Sequence, residues 1–167
     1  VHSLRRLSPQ EMLSLFLLTE RSIGTSSRWY HYIRSLPDAF DVPYFCSEFE
    51  YFPEYLRSAC ESQRRLVSGA FEKLTNAGLV HRETAASEFA RAWFAVNTRA
   101  VYLDSKRVRH GRSDCMALAP FLDMFNHSGE ANVVTGMNPA TDRYEIATRT
   151  AYEKYDQVFI NYGPHDN

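Results

Sequence analysis

The sequence predicts an α+β fold in which helices come first and strands follow. Up to about residue 101, apolar side chains recur at steps of three and four between capping residues, which is typical of helices. From residue 115 onward, short extended runs alternate with turn residues, which is typical of strands. A polar, basic segment at 106–112 separates the helical pattern from the strand pattern.

The start of the first helix is marked by three residues. Ser8 supplies a capping hydroxyl, Pro9 suits the first helical position, and Glu11 completes a capping box. The run 12–18 that follows is apolar on almost every side, so we expect this helix to be buried on most faces. A second, shorter helix is predicted to end before Pro37 because proline cannot continue it.

Two longer helices are predicted next. The longest runs from Pro53 to the segment 76–78, where a glycine suits the position after a helix end. The last helix runs from about Thr84 through Val101 and carries bulky apolar residues along one face.

Strands are predicted in the second half at 115–118, 132–135, 144–148 and 158–162. The polar run 137–142 is predicted to be the loop of a hairpin. These runs are short and separated by turns, so they predict a small antiparallel assembly.

Composition argues against several classes of protein. Nineteen basic and twenty acidic side chains give a net charge of −1, whereas a general binder of nucleic acid or of membrane surfaces carries a basic excess. No apolar run approaches the roughly 18 residues of a membrane span. Three cysteines without a CxxC pair favour free thiols in a reducing compartment, and we expect no metal cluster built by this chain alone.

The polar segment 123–132 is the first candidate for chemistry. Taken alone, it is typical of a turn in which Asn, Ser and Gly supply caps and positive φ angles. A metal site is a weaker alternative, because His127 and an Asp four positions earlier lack the further ligands that a transition metal needs.

The apolar strand 158–162 is the second candidate, because it ends in a tyrosine followed by glycine. One interpretation of Tyr162 is a core tyrosine whose hydroxyl is satisfied at the rim of the core. The other is a phenol oxygen that a rigid strand end directs toward a reacting centre.

Together the two segments resemble the C-terminal half of a SET domain, the domain of protein-lysine methyltransferases that use S-adenosyl-L-methionine (AdoMet). The family has Asn-His-Ser followed by a further Asn, found here as Asn126, His127, Ser128 and Asn132. It also has a strand of the form Gly-Glu-Glu-Leu-x-x-x-Tyr, which aligns with 155–162. The Asp-Met-Phe-Asn-His-Ser opening and the Tyr-Gly-Pro-His-Asp-Asn ending are similar to the Rubisco large-subunit methyltransferase class.

The resemblance implies an organisation for the whole chain. Residues 1–95 correspond to the helical insert that splits the SET domain, and residues 96–167 correspond to its C-terminal, β-rich part. The first part of the SET domain and the C-terminal substrate-binding domain are expected outside this chain. We therefore expect a fragment of an enzyme that is inactive alone; a non-catalytic, SET-like module for protein–protein interaction is the alternative.

The resemblance also implies the chemistry and its residues. A methyl group passes from AdoMet to a lysine of a protein substrate, histone or other, without a metal. Asn126 and His127 contact AdoMet, and Tyr162 is the catalytic tyrosine, which also lies at the cofactor. Arg99 is a candidate to bind the AdoMet carboxylate through paired hydrogen bonds, with a surface arginine on a helix as the alternative. Asp123 aligns with an acidic residue near the substrate lysine.

The sequence departs from the family pattern at several positions. Gly129 and Ala131 replace a common Cys and Pro, and Tyr155 and Asp156 stand where Gly-Glu is usual. Val101 replaces an aromatic residue expected to line the lysine channel, which leaves the degree of methylation open. The Cys-rich segment that follows many SET domains is not found, so its structural zinc is not expected.

The partner is expected from the resemblance, and the compartment from the cysteines without a CxxC pair. The expected partner is the methylated protein, with no direct binding of nucleic acid or membrane, in the cytoplasm, the nucleus or both. The basic segment 106–112 is typical of a solvated loop; a nuclear-import signal or a docking patch for an acidic partner is the alternative.

Overall fold

The computed structural model describes residues 7–103 and 115–163, so the basic segment 106–112 lies outside the described residues. The chain divides into two compact units, one ending at Ala100 and the other beginning at Val101. Helices make up the first unit and short strands dominate the second, which confirms an α+β chain. The correspondence of these units to parts of a SET domain stays a prediction.

The helices of the first unit match the predicted ones closely. Helix α1 spans Pro9–Ile23, α2 spans Tyr30–Ser35, α3 spans Glu54–Asn76 and α4 spans Ala86–Arg99. Among the described helices, none is long and apolar enough to cross a lipid bilayer.

A buried carboxylate organises the start of α1. The N–H of Glu11 donates to Ser8 Oγ at 3.2 Å, and the N–H of Ser8 donates to Glu11 Oε2 at 2.8 Å, which confirms the capping box. The Nζ of Lys73 on α3 donates to the same carboxylate at 2.7 and 3.0 Å. Glu11 therefore caps one helix and joins it to another.

The core of the first unit forms where α1 and α3 pack against α4. Phe89 on α4 is fully buried, and its ring lies 5.5 Å from that of Phe71 and 6.1 Å from that of Trp93. Burying an apolar side chain of this size contributes roughly 2–3 kcal/mol. The buried cluster consists of Leu7, Val67, Ala70, Leu74, Val80, Phe89, Ala90, Trp93 and Phe94.

Helix α3 ends as the sequence predicts. Gly78 has a φ of 70°, a conformation that glycine adopts without steric cost. The turn lets the N–H of Leu79 donate to the Leu74 carbonyl at 2.9 Å. The glycine thus closes the helix and redirects the chain.

Three pairs of short strands follow the helices, all within the second unit apart from Ala100, the first residue of β1. Strand β1 (Ala100–Leu103) pairs with β2 (Cys115–Leu118). Strand β4 (Val133–Asn138) pairs antiparallel with β5 (Arg143–Thr148). Strand β3 (Asn126–His127) pairs parallel with β6 (Phe159–Ile160).

Three predictions about these elements are wrong. The last helix ends at Arg99 rather than Val101, because Ala100 is already extended with a ψ of 141°. The strands are not all antiparallel, since β3 and β6 run in the same direction. Residues 137 and 138 belong to β4, so the turn of the hairpin is shorter than the predicted loop.

The double role of Glu11 predicts that two substitutions at this position destabilise the protein by different amounts. Glu11→Gln keeps an acceptor for the Ser8 N–H and loses the charge that faces Lys73, so we expect the free energy of unfolding to fall by about 1 kcal/mol. Glu11→Ala loses both interactions and should cost about 2–3 kcal/mol. Urea denaturation measures both values. Glu61→Gln, which removes an exposed pair with Arg65, is the control and should cost under about 0.5 kcal/mol. Equal losses for the two Glu11 variants would contradict a separate contribution from the cap.

The β4–β5 hairpin predicts a pH dependence. Glu145 accepts hydrogen bonds from Asn138 Nδ2 at 2.9 Å and Thr141 Oγ1 at 2.7 Å, and these bonds hold the pKa of Glu145 below its ordinary value of 4.5. Because the folded pKa is lowered, the stabilisation is present above about pH 4.5 and is lost as the pH falls through the folded value.

An NMR titration of the Glu145 carboxyl tests this dependence. Asn138→Ala should raise the midpoint toward 4.5, because it removes the hydrogen bond that lowers this pKa most. Asn132 precedes β4, so Asn132→Ala is the control and should leave the midpoint unchanged. A midpoint that Asn138→Ala does not move would show that this hydrogen bond does not form in solution.

Candidate functional site

The parallel pairing of β3 with β6 brings the two motif segments together. Asn126 pairs with Phe159 and His127 pairs with Ile160. The N–H of Ser128 extends the pairing by donating to the Ile160 carbonyl at 3.0 Å. A parallel pair needs a long connection between its strands, and here that connection contains the β4–β5 hairpin.

Tyr162 is attached to the residues around β3 at two points. Its N–H donates to His127 Nδ1 at 3.1 Å, and its hydroxyl donates to the Phe125 carbonyl at 2.5 Å. The His127 and Tyr162 rings lie 5.1 Å apart at an angle of 33°. Tyr162 is 51% exposed, so it is not a core tyrosine in this unit, and its phenol lies at a defined place beside the Phe125 carbonyl and the His127 ring.

The loop after β3 is a turn, as its composition predicts. Ser128 Oγ accepts a hydrogen bond from the N–H of Glu130 at 3.2 Å, and the Ser128 carbonyl accepts one from the N–H of Ala131 at 3.1 Å. The turn and the strand are therefore compatible, because His127 ends the strand where Ser128 begins the turn.

Two groups of the site were not predicted. One is the Phe125 carbonyl, which accepts from the Tyr162 hydroxyl. The other is the side chain of Asn161, whose Oδ1 accepts from the Gly163 N–H at 2.8 Å and whose Nδ2 donates to the Gly129 carbonyl at 3.5 Å. Gly163 has a φ of 116°, which favours glycine. An asparagine two residues before a glycine is the signal that predicts such a turn.

Asp123 and Arg99 are placed by other elements. Asp123 lies half-buried in a 3-10 turn, Leu122–Met124, which leads into β3. Arg99 lies half-buried in the last turn of α4, in the first unit. Their predicted contacts with substrate and cofactor stay predictions. Within the described residues, no group of three His, Cys, Asp or Glu side chains is positioned to bind a metal.

Comparison with known proteins gives relatives of the predicted kind, although no protein-family model matches the chain. Proteins named SET domain-containing protein 4 from Artemia parthenogenetica and Mus musculus are 37% and 38% identical to it, over 98% and 96% of the chain. The chain spans 43% and 40% of the length of these curated relatives.

Weaker similarity extends to proteins whose names state a methyltransferase activity. Ribosomal lysine N-methyltransferase set11 of Schizosaccharomyces pombe is 29% identical over 69% of the chain, which spans 28% of that protein. Actin-histidine N-methyltransferase of Danio rerio is 28% identical over 93% of the chain, which spans 27% of that protein. The chain is thus a homologue of SET-domain proteins over nearly its whole length, and the resemblance that its two motifs predict is confirmed.

Proposed function

We propose that this chain is part of a SET-domain protein-lysine N-methyltransferase, which transfers the methyl group of AdoMet to a lysine side chain of a protein. Residues 1–95 would be the helical insert and residues 96–167 the C-terminal part of the SET domain. The observation that carries the proposal is the place of Tyr162, whose main-chain N–H bonds to His127 and whose phenol bonds to the Phe125 carbonyl.

The relatives support methyl transfer to a protein and leave two acceptor side chains to distinguish. One related protein is named a lysine methyltransferase and another a histidine methyltransferase. We favour lysine because the paired motifs resemble lysine methyltransferases. Amino-acid analysis of a methylated product separates the two, since methyllysine and methylhistidine are different compounds.

The polar groups on β3 fit a contact with AdoMet. Asn126 is exposed, and its side chain makes no hydrogen bond to another described residue. An amide side chain offers both a donor and an acceptor, which suits a ligand as polar as AdoMet. We propose that Asn126 and His127 contact AdoMet, largely through main-chain groups and the Asn126 side chain, and that Arg99 binds its carboxylate through a guanidinium.

The residues of this chain would orient the reactants. AdoMet supplies an electrophilic methyl group when it is bound. The Tyr162 hydroxyl uses its proton in the hydrogen bond to the Phe125 carbonyl, which leaves its oxygen lone pairs able to accept from an incoming amine. Orientation of this kind contributes a large part of the rate in a displacement that has no covalent intermediate.

The acceptor lysine must also lose its proton. At neutral pH this costs roughly 4–5 kcal/mol for a lysine exposed to water, and a dry channel lowers the cost by desolvating the ammonium. Because Tyr162 is 51% exposed, the described residues of its unit do not make such a channel alone. We therefore propose that catalysis needs further parts of a SET methyltransferase and that this chain is inactive by itself.

The partner is inferred from the proposed reaction, and the compartment from the free cysteines that the sequence predicts. The partner is a protein that carries the target lysine, and a histone is one candidate. We propose that the protein acts in the cytoplasm, the nucleus or both, without a metal and without direct contact with nucleic acid or membrane. A non-catalytic interaction module is the alternative that the experiments below distinguish.

Calorimetric titration with AdoMet tests the cofactor site. We expect a longer chain that also contains the first part of a SET domain and a C-terminal substrate-binding domain to bind AdoMet. In it, Asn126→Ala should raise Kd about tenfold, because one hydrogen bond is lost. Asn76→Ala, at the exposed end of α3, is the control and should leave Kd unchanged. If the longer chain is folded by circular dichroism and does not bind AdoMet, the interaction module becomes the better proposal.

Tyr162→Phe tests the catalytic tyrosine in the same longer chain. Removing the hydroxyl leaves nothing to bond the Phe125 carbonyl or the incoming amine, so we expect kcat to fall by about tenfold or more. Tyr155→Phe changes a tyrosine that is 90% exposed and should leave kcat unchanged. Equal turnover by the two variants would remove Tyr162 from the mechanism.

A further inference from the structure

We propose that the side chain of His127 is a positioning residue for Tyr162 and that its imidazole carries its proton on Nε2. The effect of this role on turnover rests on the function proposed above. The role is separate from the cofactor contact proposed for His127, because here the imidazole acts on the tyrosine.

The hydrogen bond to Tyr162 determines the tautomer. The Tyr162 main-chain N–H is a donor and has no lone pair to accept with, so the Nδ1 that it meets at 3.1 Å must be unprotonated. In a neutral imidazole the proton then lies on Nε2. The ring cannot keep this contact with Tyr162 while Nδ1 carries a proton.

The contact lies where main-chain pairing has stopped. The ladder between β3 and β6 ends at His127 and Ile160, and the Ser128 N–H adds the last bond to the Ile160 carbonyl. Tyr162 lies two residues farther along and has no strand residue opposite it. The imidazole takes the place of that missing partner by accepting the Tyr162 N–H.

Two attachments then define the orientation of the tyrosine. The imidazole holds the main chain of Tyr162, and the Phe125 carbonyl holds its hydroxyl. Both acceptors belong to one short segment, 125–127. Loss of the first attachment leaves a phenol that is anchored only at its tip, which permits a displacement large enough to slow an oriented reaction.

Two substitutions separate the hydrogen bond from the volume of the ring. His127→Asn keeps an acceptor oxygen near the position of Nδ1, whereas His127→Leu fills a similar space without an acceptor. Both remove the titratable ring and the ring contact with Tyr162. A difference between the two variants therefore reports the acceptor itself.

The first test is spectroscopic and is independent of activity. Nitrogen-15 NMR of the imidazole at pH 8 should show a bare Nδ1 and a protonated Nε2, and amide exchange at Tyr162 should be slow in the native chain. Exchange should stay slow in His127→Asn and become at least about tenfold faster in His127→Leu. A protonated Nδ1, or equal exchange in the two variants, overturns the proposal.

The second test measures turnover in the longer chain. His127→Leu should lower kcat about tenfold or more with less than about threefold change in the KM for AdoMet, and His127→Asn should restore kcat to within about threefold of the native value. A rise in KM without a fall in kcat would instead assign the side chain to cofactor binding. If the native longer chain shows no turnover, the proposed function fails, and the spectroscopic test still decides the role of His127.

Discussion

The second unit depends on one constraint, the parallel direction of β3 and β6. Two parallel strands cannot be joined by a tight turn, so the chain between them must leave the pair and return. Here it does so through the β4–β5 hairpin, which completes its own hydrogen bonds within residues 133–148. The short strands β3 and β6 can then meet, and their meeting places Tyr162 beside His127.

The sequence predicts the local features of the fold best. The capping box at Ser8 and Glu11 and the glycine end of α3 each depend on residues within a few positions of each other, so their signals are complete in a short window. The end of α4 was placed two residues late. Ala100 and Val101 continue the apolar spacing of the helix, and their strand conformation depends on pairing with β2, which a helical pattern does not reveal.

The same distinction applies to the site. Asn126, His127 and Tyr162 are predicted as site residues because two motifs resemble one family. A strand at Asn126–His127 is not predicted, because its partner lies more than 30 residues away. The Phe125 carbonyl was also missed, since a main-chain acceptor leaves no trace in residue type. Side-chain identities thus indicate which residues form the candidate site, and long-range pairing determines which main-chain groups join them.

Orientation and desolvation are separate contributions at this site. Both hydrogen bonds to Tyr162 form while the side chain is half-exposed, where water competes for the same groups and each bond adds only about 0.5–1.5 kcal/mol. Covering the phenol would strengthen these bonds, because electrostatic interactions grow as the local dielectric falls. In the proposed lysine methyltransferase, the same covering would ease deprotonation of a bound lysine. Closure of the site would therefore make the tyrosine more rigid and the acceptor more reactive in one step, although the described residues provide only the orientation.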